Sequence, residues 1–98
     1  MDDEPLVQPG APGCAALQGE LTIAQANQLH EQLREALAAG RCHLDLSAVQ
    51  ECDSAGIQLL IATRHSARAQ GLPLTLAAAS PAVQASLQRY GLIHLLNA

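Results

Sequence analysis

The sequence contains no tryptophan, no phenylalanine and no lysine, and a single tyrosine, Tyr90. Single-stranded nucleic acid is bound by stacking bases on aromatic side chains along a cationic groove. Non-specific affinity for any nucleic acid comes mainly from neutralising phosphates. Five arginines against nine acids leave a net charge of -4, so neither requirement is met. No apolar run approaches the roughly 20 residues of a membrane-spanning helix. The amino-terminus, Met1-Asp2-Asp3-Glu4-Pro5, is acidic where a secretory signal would be basic. Cys14, Cys42 and Cys52 are an odd number with no paired spacing, and read as reduced thiols acting as small hydrophobes. The expectation is a cytoplasmic protein with no nucleic-acid partner and no direct membrane insertion.

Catalytic furniture is equally scarce. After the first expected strand there is no glycine between Gly19 and Gly40, and without lysine a Walker-type phosphate loop cannot be built. The histidines at 30, 43, 65 and 94 are scattered, and the adjacent pair Cys42-His43 would point to opposite faces of a strand. Ser54 and His65 are three helical turns apart and cannot touch on one regular helix. No nucleophile elbow surrounds Ser54. Cys52 stands near an expected helix start, where a thiol pKa can fall, but a buried loop cysteine is the commoner arrangement. The chain is expected to be no enzyme, with no metal and no organic cofactor.

What remains is well patterned. With 98 residues, 49% hydrophobic and 14% charged, the composition is that of one globular domain. Residues 1–13, with three acids and three prolines, read as a flexible tail in which Leu6-Val7 can add a short edge strand, and 14–98 form the domain. Cys14–Leu17 fits a buried strand and Gly19-Glu20 a turn. Thr22 can cap a helix whose stripe is Ala26, Leu29, Leu33, Ala36 and Leu37, ended by Gly40. Residues 42–46 alternate as a strand, and a polar connection, 47–52, leads to a second helix over about 55–70, ending at Gly71. Leu72, Leu74 and Leu76 alternate in another strand. Ser80-Pro81 starts a third helix with the buried stripe Val83, Leu87 and Tyr90, stopped by Gly91. Leu92–Leu96 is a final strand or a docked apolar tail. The alternation of elements implies an α/β fold, a mostly parallel mixed sheet of four or five strands with three main helices.

The segment richest in polar chemistry is Asp53-Ser54-Ala55-Gly56, an acid and a hydroxyl at a helix start. Asp53 or Ser54 can serve simply as the cap, with Gly56 permitting close packing. Asp45-Leu46-Ser47-Ala48-Val49, Asp53-Ser54-Ala55-Gly56-Ile57, Ser80-Pro81-Ala82-Val83 and Tyr90-Gly91-Leu92 together resemble the STAS domain, in the expected order over about residues 14–96. That family includes bacterial anti-sigma factor antagonists, cytosolic domains of sulphate transporters and the small STAS subunit of the Mla lipid-transport system. The resemblance implies that Asp53–Gly56 is the regulatory loop. In anti-sigma factor antagonists the phosphorylated hydroxyl directly precedes the glycine. Ala55 holds that position here, which leaves Ser54 as the phosphorylation candidate and brings the loop close to the Asp-Thr-Ala-Gly versions of the Mla subunit.

Two stripes separate on the second helix at about 100° per residue. Gly56, Leu59, Leu60, Thr63 and Ala67 suit a sheet-facing side. Ile57, Ile61, Arg64 and Arg68 form the other, a composition that interfaces favour, although Ile57 and Ile61 can equally be core with both arginines reaching outward. The expected partner-binding residues are therefore Asp53, Ser54, Ala55, Gly56, Ile57, Ile61, Arg64 and Arg68. The expected role is a non-catalytic regulator of the anti-sigma factor antagonist type, binding an anti-sigma factor or serine kinase. The alternatives are an accessory subunit on the ATPase of a lipid ABC transporter, or a chemotaxis-associated adaptor.

Overall fold

In the computed structural model, which describes residues 5–94, the organising element is the ten-residue strand His43–Cys52. The strands are β1 (Val7–Pro9), β2 (Cys14–Leu21), β3 (His43–Cys52) and β4 (Thr75–Ala77), and the helices are α1 (Ala26–Ala38), α2 (Ser54–Ala69) and α3 (Pro81–Arg89). A 3-10 turn, Ile23–Gln25, precedes α1. The strands lie in the order β1-β2-β3-β4, with β1 antiparallel to β2 and the other pairs parallel. The sheet is thus mixed and four-stranded, with α1 and α2 as the crossovers between parallel neighbours.

Along β2 and β3 the buried residues Ala15, Leu17, Leu21, Leu44, Leu46 and Val49 face the helices, while His43, Asp45, Ser47 and Gln50 are exposed. One face of the sheet is covered and the other is open, the arrangement that produces inside-outside alternation. The core is leucine-rich and contains no aromatic ring. Leu17, Leu21, Leu29, Leu46 and Leu87 are fully buried, each contributing about 1.5–3 kcal/mol relative to exposure.

β3 is twice as long as the alternation of 42–46 indicated, and the polar stretch 47–52 is strand rather than connection. The cause is visible in the register. Ala16 pairs with Asp45 but Gln18 with Ala48, and Gly19 pairs with Val49 but Glu20 with Glu51. β3 therefore carries one extra residue at each of two points, and each bulge resets the inside-outside phase. Ser47 and Ala48 are consecutively exposed, which ends a period-two pattern without ending the strand.

Other boundaries shift for local reasons. Leu6 joins the core and Val7–Pro9 pairs with Leu17, Ala16 and Ala15 within the segment composition marked as a tail. Thr22 makes no side-chain cap bond, and α1 begins only after the 3-10 turn. Each helix is followed by a left-handed glycine, at 40, 71 and 91, and the next residue donates back to Ala36, Ala67 or Leu87 to close the end. Tyr90, expected in the buried stripe of α3, is 45% exposed. The helix stops at Arg89, so Tyr90 leaves the helical phase, and Ser86 takes the buried place beside Val83 and Leu87. Leu92 packs against the core and Ile93 is exposed, with no strand beginning among the described residues there. The remainder of the expected 92–96 element lies outside the described residues.

Candidate functional site

The loop between β3 and α2 is fixed by the aspartate that precedes it. Asp53 adopts an extended conformation and caps α2, its Oδ1 accepting from the Gly56 N–H at 3.1 Å. Its Oδ2 accepts from the Ile23 N–H at 3.0 Å. Its own N–H donates to the Leu21 carbonyl at 3.1 Å. One residue thus ties the start of α2 to the turn after β2. Those donations, Ile23 foremost with Gly56 and Ala55 behind it, hold the Asp53 carboxyl below the ordinary carboxylate range against the partial desolvation that pushes it up.

Gly56 completes the clamp. A Cβ at this position would stand 2.2 Å from the Leu21 carbonyl oxygen, so only glycine lets the first turn of α2 lie on the end of β2. The Asp-x-x-Gly spacing has a structural cause at both ends: the acid caps, the glycine allows contact, and both act on Leu21–Ile23.

Ser54 stands between these fixed points and takes no part in them. It is exposed at the first position of α2, and its hydroxyl has no hydrogen-bond partner among the described residues. Capping belongs to Asp53 alone. Ala55 is half-buried, and Gly56 is buried. Ile57, expected on the docking stripe, is 2% exposed and belongs to the core. The buried face of α2 is Gly56, Ile57, Leu60, Thr63 and Ala67, because the helix is drawn onto β2 at Gly56 and presents a wide apolar arc rather than a narrow seam. Ile61 is half-buried against the core. Arg64 is half-buried and Arg68 exposed. The expected stripe survives only as Ile61, Arg64 and Arg68.

A residue not singled out from the sequence is tied to the aspartate that precedes Ser54. Ile23 is 74% exposed, and its backbone is the one Asp53 holds. The available signal was an apolar residue standing ahead of the α1 stripe, which begins at Ala26.

Cys52 closes β3 half-buried. Burial pushes its thiol up to about 11, the Asp53 charge adds to this, and a hydrogen bond with Ser86 pulls the other way. The thiol is therefore protonated at neutral pH, and the helix start does not activate it. Ser86 of α3 also donates its hydroxyl to the Cys52 carbonyl, fixing the far side of the loop. Among the described residues no group of three or more His, Cys, Asp or Glu side chains could hold a metal ion, and no helix is long and apolar enough to cross a membrane.

An open-faced mixed sheet with a clamped Asp-x-x-Gly loop at the start of its second helix defines a class of small α/β domains. The chain belongs to the STAS family: the family described as "Mlab, STAS domain" matches residues 6–97. Among solved structures it is similar to the anti-sigma factor antagonist SpoIIAA in its unphosphorylated form, with a TM-score of 0.66 and 21% identity over 89% of this chain and 80% of that one. No curated protein matches the sequence.

Proposed function

We propose that the chain is a non-catalytic regulatory STAS protein of the anti-sigma factor antagonist type, binding a protein partner through the Ser54 loop and the exposed side of α2. The observation that carries this reading is the division of labour at the loop. Asp53 and Gly56 immobilise the backbone, and Ser54 is left as an exposed hydroxyl without an internal role. Exposed Ile23, whose N–H is held by the Asp53 that precedes Ser54, supplies the apolar contact that interface centres use. A solved relative in fold is described as an anti-sigma factor antagonist whose unphosphorylated form is distinguished, which suits a switch at this hydroxyl. Ser54 is the phosphorylation candidate, and the partner is an anti-sigma factor or serine kinase.

Ala55 favours a second reading. Alanine stands where anti-sigma factor antagonists carry the modified hydroxyl, and the matching family is described by an Mla-type name. In that reading the partner is the ATPase of a lipid ABC transporter and the contact is permanent.

The test compares wild type, Ser54→Ala and Ser54→Asp for thermal stability and for affinity toward the partner recovered by affinity purification. A charge desolvated in the interface should weaken binding by about 2 kcal/mol in Ser54→Asp while folding is preserved. Unchanged affinity in both variants would refute the Ser54 interface. Identification of that partner as an anti-sigma factor or a transporter ATPase separates the two readings.

A further inference from the structure

The charges of this chain are segregated along its length. All nine acids lie within residues 1–53, whereas residues 54–98 hold Arg64, Arg68 and Arg89 and no acid. The fold turns this into a polarity along α2. Glu20 and Glu51 are register neighbours at the ends of β2 and β3, beside Asp53 at the start of the helix. Arg64 and Arg68 stand at its other end, about 15 and 21 Å from Ser54 along the axis.

Arg64 and Arg68 share one side of α2 at a spacing of four. They border a cavity of about 300 Å³ lined also by Gly71, Leu72, Pro73 and Leu74. Among the described residues neither guanidinium makes an ion pair or a side-chain hydrogen bond. Arg41, by contrast, donates to the Cys14 carbonyl at 2.7 Å. Arg68 in the last turn is favourable to the helix dipole, but Arg64 is a turn earlier, and like charges at this spacing destabilise a helix. The helix's own needs do not account for the pair. A planar fork of donors beside a second one matches carboxylates, and Leu72 and Pro73 in the lining suit an adjacent apolar side chain.

We propose that the carboxy-terminal half of α2 and the turn after it dock an acidic segment of a protein partner, with Arg64 and Arg68 taking carboxylates and Leu72 receiving an adjacent apolar residue. This rests on the reading of the chain as a partner-binding module and names the chemistry of that partner. An anionic membrane is the weaker occupant, because juxtamembrane binding uses clusters of about four to eight basic residues and this surface has two in a chain of net charge -4.

The experiment titrates the isotope-labelled full chain with hexaglutamate and follows backbone amide and arginine side-chain resonances. Expected are shifts confined to Arg64, Arg68, Gly71 and Leu72, abolished by raised salt, with affinity at least about tenfold lower in the Arg64→Gln/Arg68→Gln double variant and unchanged in Arg89→Gln. The proposal is overturned by shifts spread over the surface, by equal loss in Arg89→Gln, or by no shift at all. Binding to phosphatidylglycerol vesicles through the same residues without a response to hexaglutamate would also overturn it, in favour of a membrane. Any of these failures leaves the Ser54 reading standing, since that reading is tested at the opposite end of the helix with the partner itself.

Discussion

The helices α2 and α3 start with the same device put to different use. Ser80 and Asp53 both hold extended backbone conformations, and each accepts from the N–H three residues on, Val83 at 3.3 Å and Gly56 at 3.1 Å. Ser80 is buried, is followed by Pro81 at the first helical position, and leads to Val83 deep in the core. Asp53 is partly exposed and spends its second oxygen on Ile23, outside its own helix. A hydroxyl suffices where only a helix must begin; a carboxylate is used where two loops must be held in one position. The extra acceptor and the residue without a side chain are both concentrated at the end of the molecule that displays Ser54 and Ile23.

Substitutions at the two starts should separate these roles. The largest loss is expected from Gly56→Ala, because the new methyl meets backbone rather than a flexible side chain. Chemical denaturation should show about 3 kcal/mol or more, and a loss under 1 kcal/mol would mean that the contact with Leu21 relaxes easily. Asp53→Ala should follow at about 2 kcal/mol, against about 1 kcal/mol for Ser80→Ala. Its distinguishing mark is faster hydrogen exchange at the Ile23 amide, which Ser80→Ala should leave alone.

A pH series sharpens the same contrast. The folded Asp53 carboxyl titrates lower than the unfolded one, so the folded state binds fewer protons. Its stabilisation is complete above the unfolded value and is lost as pH falls through the folded value. Asp53→Asn should therefore flatten the acid limb of the stability profile, whereas Ser80→Ala should lower the curve without changing its shape. The smallest effect belongs to Ser54→Ala, expected within about 0.5 kcal/mol of wild type. A loss near that of Ser80→Ala would show that Ser54 shares the capping.

The order of elements and the three helix ends were legible because they are written in local chemistry. Glycines at 40, 71 and 91 and the Ser80-Pro81 pair act over one turn. The Asp53-Ser54-Ala55-Gly56 segment was also legible as a helix start, and the family resemblance drew attention to it. Which residue capped was not, because Asp53 and Ser54 are both good caps and the choice depends on Ile23, thirty residues away. The outer half of β3 was hidden by its two bulges, which are set by pairing with β2. Whether Ile57 belongs to the docking stripe or to the core is not legible because a helical wheel gives relative angles, and the contact of Gly56 with Leu21 sets the absolute rotation.

The margins of the sheet limit how another chain can approach. β1 and β4 are three residues long each, and β1 closes on Pro9, which has no N–H to offer. Beyond β4 the free flank of β3 is engaged by α3, the Ser80 N–H donating to the Leu46 carbonyl and the Ser86 hydroxyl to that of Cys52. Strand addition needs a run of unpaired backbone groups, and short or proline-bearing edges deny it one. Fibril-like stacking of copies is disfavoured by the same shortage. Among the described residues a visitor finds little backbone to pair with; it has to read side chains.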